Sequence, residues 1–521
     1  MYSLINFKSA LAAIVLYIFY RIIISKLTSF RNAQKAKALG CEPAYMQPNQ
    51  LPFGIDHLLV SINAVKDGTF LTVIEDFFVD LGGRHTFSTS VLGGIETLTV
   101  EPTNIQAMLA TQFEDFDLGD RRRGTMDPFL GSGIFTQDGK KWQHSRAMLR
   151  PQFVREQVSD LVTEEEHVQN LFCVLPTSST DGWTAEVDLQ PLFFNLTLDA
   201  ASQFLLGEST YSQLTDPTSD KRVADFAKCF DAGTRGLSKK FSYGPFSTLL
   251  HPTGWKAAVS TCHNFIDDVI SKRLENMDRK KIFGESEDER NRYVFLEALA
   301  QETRDVLELR SQILNILLAG RDTTAATLGW TFFQLVRHPE VYQKLRKIIL
   351  REFGTYSECV PHKDITFQKL KSCSYLQHTL SETLRLFPVV PWNNRVANKD
   401  TSLPTGGGPD GKSKIFVPKG GQISYSVHVM QRRKDLWGED AAEFKPERWE
   451  GRKMGWDFIP FNGGPRICLG QQYAITEASY VIVRLLQRFD DMANMDPSLQ
   501  PRYEMGLTVC PSEVKVKMHE A

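Results

Sequence analysis

A single cysteine in a glycine-containing loop constrains this chain more than any other feature. Residues 461–470 read Phe-Asn-Gly-Gly-Pro-Arg-Ile-Cys-Leu-Gly, and the apolar-periodic run that follows predicts a long helix. Cys468 therefore lies where a loop meets a helix N-terminus, whose partial positive charge favours a thiolate. Gly464 and Gly470 let backbone amides approach the sulfur closely. These features predict a thiolate metal ligand with a depressed pKa at Cys468.

Arg466 precedes this cysteine by two residues and can hold a carboxylate in a charge-assisted pair. A thiolate together with an arginine suits haem, because the sulfur binds the iron and the guanidinium binds a propionate. The alternative for Cys468 is an inert cysteine in a turn, the usual state of a free cysteine and our interpretation of the other seven. Those seven are scattered without a Cys-x-x-Cys pair, which excludes a zinc finger and gives no disulfide framework.

The pattern Phe-x-x-Gly-x-Arg-x-Cys-x-Gly, which begins at Phe461, resembles the haem-binding signature of the cytochrome P450 family. This resemblance implies a mainly α fold with a small β subdomain, an α+β architecture. It also implies haem b, iron-protoporphyrin IX, as the cofactor and O2 as the co-substrate. Cys468 is then the iron ligand, with Phe461 and Arg466 beside the haem.

Three further stretches look like the fungal n-alkane and fatty-acid hydroxylase group of that family: residues 149–153, 314–324 and 406–411. The resemblance as a whole runs from about residue 50 to the C-terminus. It implies terminal hydroxylation of an alkyl chain or fatty acid.

Residues 305–337 have the pattern of one long helix, about 50 Å at the usual rise per residue. Its middle contains Gly320 and two β-branched threonines, all poor helix formers, so we expect a local bulge there. The resemblance maps a proton-relaying acid–threonine pair onto Asp322 and Thr323, and it places Ala319 at the substrate. The alternative is a kink filled by water.

Trp142 and Arg146 are four residues apart on another predicted helix and therefore share a face. By themselves they indicate a surface arginine stacked on a tryptophan. The resemblance instead assigns both of them, and Arg395, to the haem propionates.

Glu382 and Arg385 lie three residues apart on a predicted helix and can pair. An ordinary surface ion pair contributes at most about 1 kcal/mol. The resemblance implies more: a lock between these two residues and Arg448 that holds the loop before Cys468, with a structural rather than a chemical role.

The substrate pocket is assigned from the resemblance to Val390, Trp392 and Leu507, together with Ala319. Residues 392–394 read Trp-Asn-Asn, which is bulkier and more polar than we expect for a simple alkane site. A tailoring oxidation of a fungal polyketide or terpenoid therefore fits as well. The arginine run at 121–123 is either a solvated loop or an anchor for a substrate carboxylate.

Residues 4–24 form the most apolar run, and taken whole they approach the length that spans a bilayer. Lys and Arg residues follow this run, which predicts that the remainder of the chain is cytosolic. We therefore expect an anchor helix over residues 1–25, a proline-containing linker over 26–55 and a catalytic domain over 56–521. The location implied is the endoplasmic reticulum membrane, single-pass. The alternative is an amphipathic helix lying on the membrane surface.

Gly406 to Ser413 matches a phosphate-binding P-loop pattern, but the flanking residues indicate a loop between two strands. With no dinucleotide or flavin fingerprint, the resemblance implies an NADPH-dependent flavoprotein reductase as partner. The net charge of −2 argues against nucleic-acid binding.

These inferences predict a membrane-bound monooxygenase that inserts one oxygen atom from O2 into a C–H bond of an apolar substrate. Two hypotheses of another class stay open at this point. One is a haem-thiolate isomerase or dehydratase that needs no reductase, and the other is a non-catalytic haem-binding protein.

Overall fold

Helices contain most of the chain in this computed structural model, which describes residues 2–91, 94–153, 161–176, 181–214, 221–283, 293–498 and 500–521. The mainly α character implied by the resemblance is confirmed. In chain order the helices are α1 (Tyr2–Ala38), α2 (Ile55–Lys66), α3 (Phe70–Asp80), α4 (Pro102–Gln106), α5 (Asp120–Leu130), α6 (Gly139–Leu149), α7 (Val162–Val174), α8 (Leu189–Leu206), α9 (Lys221–Ser242), α10 (Trp255–Phe283), α11 (Phe295–Glu302), α12 (Val306–Leu335), α13 (Pro339–Phe353), α14 (Pro361–Asp364), α15 (Phe367–Ser372), α16 (Ser374–Leu386), α17 (Val427–Met430), α18 (Lys434–Trp437) and α19 (Gln471–Arg488).

The strands are short and form small sheets. In chain order they are β1 (Thr86–Val91), β2 (Gly94–Thr99), β3 (Phe116–Asp117), β4 (Val187–Asp188), β5 (Trp392–Ala397), β6 (Thr401–Gly407), β7 (Ser413–Val417), β8 (Gln422–Ser426), β9 (Phe489–Asn494), β10 (Tyr503–Met505), β11 (Val509–Pro511) and β12 (Lys515–Glu520). A five-stranded sheet has the order β1-β2-β8-β5-β3, and a three-stranded sheet has the order β4-β12-β9. β6 pairs with β7 and β10 with β11, both antiparallel. The predicted loop between two strands is therefore residues 408–412, and Gly406 and Gly407 end the first strand.

The chain divides into two compact units. Unit 1 contains Met1–Leu58, Phe77–Asp117 and Asn394–Tyr425, which carry most of the five-stranded sheet. In that sheet β1 pairs antiparallel with β2, and β2 pairs parallel with β8. Unit 2 contains Leu59–Asp76, Leu118–Asn393 and Ser426–Ala521.

Helix α12 is the central element of unit 2. Nearly every residue from Leu309 to Leu335 is buried, as expected for a helix that is apolar around its whole circumference. Asp305 caps its N-terminus by accepting a hydrogen bond from the backbone N–H of Leu307 at 2.9 Å. Helix α8 packs closely on it, because a Cβ at Gly329 would lie only 1.8 Å from Gln190 Oε1. This buried helix therefore presents its middle turns to the interior of unit 2.

Residues 2–38 form one helix, α1, which includes the apolar run 4–24. Among the described residues, none of the helices is both long enough and apolar enough to cross a membrane. The predicted spanning helix over residues 1–25 is therefore not supported. Helix α1 continues to Ala38, so the first part of the predicted linker, residues 26–38, is helical rather than extended.

Candidate active site

The loop before α19 closes on itself and places the Cys468 sulfur. The backbone N–H of Cys468 donates to the carbonyl of Phe461 at 3.0 Å, and that of Ile467 donates to the carbonyl of Gly464 at 3.0 Å. Gly464 has a φ of +68°, a conformation that glycine adopts without strain. Asn462 also has a positive φ of 63°, a turn feature that the sequence analysis missed.

The electrostatic environment of Cys468 differs from the prediction. Burial raises the pKa of its thiol, although a hydrogen bond from the Gly470 backbone and the charge of Arg146 both lower it. The expected depressed pKa is wrong for the protein chain alone, because desolvation outweighs the helix terminus and the amide. The Cys468 side chain is nevertheless exposed. A sulfur that is desolvated yet accessible lies on an internal surface, where a bound metal ion would deprotonate it.

Arg466, Trp142 and Arg146 gather beside this cysteine. The Arg466 guanidinium lies 4.3 Å from the centre of the Trp142 ring and donates to Asp138 Oδ1 at 2.6 Å. Arg146 lies 5.8 Å from the same ring, and its Nη1 donates to the carbonyl of Ile467 at 3.0 Å. The structure thus brings three predicted cofactor residues together. Asp138 was missed, because nothing in the sequence indicates that it meets Arg466.

One face in the middle of α12 is more open than the buried turns on either side of it. Ala319, Gly320 and Thr323, which share a face, are only partly buried, whereas their neighbours on the helix are enclosed. The predicted bulge is absent from this described helix, which is continuous from Val306 to Leu335. Within this turn the Thr323 hydroxyl donates to the carbonyl of Ala319 at 2.6 Å.

Asp322 and Thr323 point to different partners. The buried Asp322 carboxylate accepts a hydrogen bond from Arg321 Nη1 at 3.1 Å, while Thr323 bonds to its own helix. Burial raises the pKa of Asp322, and Arg321 partly offsets this shift. A buried carboxyl group with a raised pKa is the kind of group that can take part in proton transfer.

The predicted structural lock brings its three residues together. Arg385 donates from Nε and Nη2 to the two oxygens of Glu382, both at 2.8 Å, and Arg448 Nε donates to Glu382 Oε1 at 3.2 Å. The Trp449 indole adds a bond to Glu382 Oε2 at 3.0 Å. Arg385 also donates to the carbonyl of Gln431 at 2.9 Å.

The pocket residues assigned by resemblance lie in two segments of unit 2. Trp392 stacks edge-on against Phe70 at 6.4 Å between ring centres. The backbone N–H of Val509 donates to the carbonyl of Val389 at 2.9 Å, which ties the β10–β11 hairpin to the segment that contains Val390. Leu507, at the tip of this hairpin, packs against an apolar cluster that includes residues of α12.

The remaining predicted residues have contacts of their own. Arg395 lies in unit 1, where it is buried and its Nη1 donates to the carbonyl of Asn394 at 2.7 Å. Arg122 Nη1 donates to Asn393 Oδ1 at 3.1 Å, so this arginine is not the solvated side chain that a charge run suggests. The assignments of Arg395 to a propionate and of residues 390–392 to the pocket stay predictions.

A helix-rich fold with an accessible cysteine in a glycine-containing loop defines a haem-thiolate protein, and the comparisons name the family. The family model described as Cytochrome P450 matches residues 72–518. Cytochrome P450 monooxygenase g430 from Fusarium sp is 48% identical over 97% of this chain and 89% of its own length. Cytochrome P450 52A12 from Debaryomyces hansenii is 43% identical over 92% of this chain and 93% of its own. The chain belongs to the cytochrome P450 family and is a monooxygenase of that family.

A solved structure agrees on the fold. The crystal structure of the haem domain of a cytochrome P450DA mutant superimposes with a TM-score of 0.72, covering 92% of this chain and 97% of its own, at 19% identity. Members of the family hold haem, use O2 and receive electrons from a redox partner.

The residues of this chain fit a haem. Cys468 offers one sulfur on an internal surface, and two guanidiniums, those of Arg146 and Arg466, lie near it. One thiolate and two cations match the iron and the two carboxylates of the cofactor. In the same unit, the open face of α12 at Ala319 and Thr323 offers room beside the helix.

Proposed function

We propose that this monooxygenase hydroxylates the terminal carbon of an alkyl chain or fatty acid. The observation that carries the proposal is the partly open face of Ala319, Gly320 and Thr323 in the middle of α12, where the surrounding residues of the helix are buried. Small side chains on that face leave space for an apolar chain, and a hydroxyl stands beside it.

Each residue of the site has a role in this proposal. Cys468 would hold the haem iron, and Trp142, Arg146, Arg466 and Arg395 would hold the propionates. The haem, when bound, supplies the activation of O2 and the transfer of one oxygen atom. Asp322 holds a proton in a buried site and Thr323 passes it toward the open face of α12. Glu382, Arg385 and Arg448 keep the loop before Cys468 in place.

The substrate class is supported by the likeness to the fungal n-alkane and fatty-acid hydroxylase group, and by several relatives whose names carry the label 52A. A second candidate is tailoring oxidation of a fungal secondary metabolite. One observation favours it: Asn393, next to the predicted pocket residue Trp392, holds Arg122 by a hydrogen bond at 3.1 Å. A polar pair at that position suits an oxygenated substrate better than a plain alkane.

Electrons are proposed to come from NADPH through a flavoprotein reductase at the endoplasmic reticulum membrane, with the catalytic body in the cytosol. Association with lipid is supported by large apolar side chains that α1 leaves exposed, among them Leu16, Phe19 and Phe30. Removal of residues 2–38 should then release the protein from the membrane fraction.

The reduced, carbon monoxide-treated protein tests the haem-thiolate site. We expect the strongly red-shifted absorbance of a sulfur-bound haem, its loss in Cys468→Ser, and its retention in Cys510→Ser, which alters a buried cysteine of β11. A red-shifted spectrum in Cys468→Ser would overturn the ligand assignment.

Product analysis tests the substrate class. The protein with reductase and NADPH is given dodecane, dodecanoic acid and oxygenated polycyclic compounds. Terminal alcohols from the first two support the main proposal, and exclusive turnover of the last group supports tailoring oxidation.

A further inference from the structure

Arg321 lies between two carboxylates that come from different helices. On its own helix, Nη1 lies 3.1 Å from Asp322 Oδ1. From α9, Asp231 Oδ1 forms an ion pair with Nη2 of the same guanidinium. The side chain of Arg321 is 6% exposed and that of Asp322 is 10% exposed, whereas Asp231 is 34% exposed. The single buried guanidinium of Arg321 therefore pairs with two carboxylates: that of Asp322, which is enclosed, and that of Asp231, which is partly open to solvent.

Aromatic rings fix the guanidinium in this position. Its centre lies 4.9 Å from the Phe194 ring and 5.8 Å from the Phe230 ring. These apolar rings keep water away from Arg321, and charges interact more strongly where water is excluded. A change in the charge of one carboxylate partner of Arg321 must therefore alter the electrostatic interaction of Arg321 with the other.

The surroundings of Asp322 hold few other charges. Among the described residues, the titratable or charged groups that act on it are Arg321 from α12, Asp231 from α9 and the Cys510 thiol from β11. Asp231 in turn faces the Cys262 thiol of α10. Burial raises the pKa of Asp322 most, Arg321 lowers it, and Asp231 raises it further.

We propose that Asp231 is a positioning residue for proton delivery: it occupies one side of Arg321, so that Asp322 keeps a proton which it can pass on toward Thr323. This inference rests on the proposed relay through Asp322 and Thr323. It adds that a residue on α9, through its ion pair with Arg321, sets how strongly the guanidinium charge acts on Asp322.

The expected pH effect follows from the sign of each charge. If Asp231 loses its charge, Asp322 is the only carboxylate of the two that still pairs with Arg321. The guanidinium then stabilises the ionised form of Asp322 more strongly, so the pKa of Asp322 falls. Proton delivery needs the protonated form, and the yield of product per NADPH therefore decreases as the pH rises through that pKa. In Asp231→Asn we expect this decrease about one pH unit lower than in the wild-type protein, the size of a typical effect of a nearby charge.

The experiment measures product formed and NADPH consumed by the complete enzyme with its reductase, between about pH 6 and about pH 9. Asp225→Asn removes the same charge from the same helix and should leave the profile unchanged. Asp231→Glu should restore it. Asp231→Ser provides a second neutral variant should Asp231→Asn fold poorly.

A direct titration complements the turnover measurement. The infrared carboxyl band of protonated Asp322, assigned by its loss in Asp322→Asn, should disappear at lower pH in Asp231→Asn than in the wild type. An unchanged or upward-shifted titration, or an equal shift in Asp225→Asn, would overturn the inference. If Asp322→Asn itself leaves coupling unchanged, the relay of the proposed function fails instead. If Asp322→Asn lowers coupling but Asp231→Asn leaves the pH profile unchanged, the proposed relay is retained and the proposed role of Asp231 is wrong.

Discussion

The carboxylate of Glu382 and the guanidinium of Arg385 form a two-point ion pair in which neither side chain has any exposed surface. Arg385 also donates to the carbonyl of Gln431, whose side-chain oxygen accepts a hydrogen bond from the backbone of Ile459 at 3.0 Å. Phe461, two residues further, accepts from the backbone of Cys468. A continuous path of hydrogen bonds and chain thus joins the pair to the cysteine loop.

Replacing Glu382 by alanine should destabilise the protein severely. The variant leaves Arg385 buried with an unpaired charge, whereas Arg448 keeps its ion pair with Asp440. Loss of one partner from a buried pair costs about 3–5 kcal/mol. Urea denaturation measures the change in the free energy of unfolding. Glu352→Ala is the control, because it breaks an exposed pair with Arg351 and should cost less than about 1 kcal/mol. Equal losses in both variants would contradict a special role for the buried pair.

The sequence predicted those features that depend on local pattern. Helix α12 lies within one or two residues of the predicted bounds 305–337, because apolar residues and the Asp305 cap act locally. The cysteine loop leads into a helix, α19, as expected.

Features that depend on tertiary packing were predicted less well. The pKa of Cys468 was expected to fall, but burial, which no local pattern reveals, raises it. The bulge at Gly320 was expected from propensity, yet the helix is continuous, because tertiary packing of its buried residues outweighs the local preference. Asp138 and Asp231 each meet an arginine far away in the chain, and a single sequence contains no signal for such pairs.

Thr323→Ala should divert electrons from product to peroxide while haem binding is retained. The hydroxyl lies on the open face of α12 and is proposed to pass protons, so its removal should lower the product formed per NADPH about tenfold or more. Peroxide release and NADPH consumption are measured together. Thr327→Ala is a matched control, because Thr327 donates to the carbonyl of Thr323 in the same manner, at 2.8 Å, but is buried. The proposed relay is wrong if Thr323→Ala and Thr327→Ala form the same amount of product per NADPH.

His428 should make the protein less stable in mild acid. Its side chain is completely buried, its Nε2 lies 2.5 Å from Glu75 Oε1, and burial lowers the pKa of the imidazole to about 4. The unfolded chain takes up a proton near pH 6.5 whereas the folded protein does not, so stability is complete above about pH 6.5 and is lost as the pH falls toward about 4.

Urea denaturation of the wild type and of His428→Gln should detect this loss as a decrease of about 2 kcal/mol, between about pH 7.5 and about pH 5, in the free energy of unfolding of the wild type relative to the variant. Glu75 contributes only at lower pH, because its pKa is lowered from that of an ordinary glutamate. His428→Gln keeps a side-chain amide near Glu75 but has no titrating imidazole, and the contribution of Glu477 is common to both proteins, so it cancels in their difference. If the difference in the free energy of unfolding between the wild type and His428→Gln does not change with pH, another titratable group causes the loss.

Glu477→Gln should stabilise the protein increasingly as the pH rises. Glu477 lies on α19, is 2% exposed, and faces the Glu164 carboxyl and the Thr324 hydroxyl. Burial and then Glu164 raise the pKa of Glu477 well above its ordinary range, while Thr324 lowers it. The folded protein therefore keeps this carboxyl protonated at a pH where the unfolded chain ionises, which weakens folding as the pH rises above about 4.5.

Glutamine is neutral at every pH and has nearly the same shape, so the variant lacks this penalty. Its advantage over the wild type should grow by as much as about 1.4 kcal/mol for each pH unit above about 4.5. Urea denaturation of both proteins at several pH values between about 5 and about 7.5 measures the slope. Glu166→Gln, which changes an exposed glutamate on α7, should show no such trend. A Glu477→Gln advantage that is constant with pH would mean that this carboxyl has the same ionisation in the folded and the unfolded protein, which would contradict the prediction.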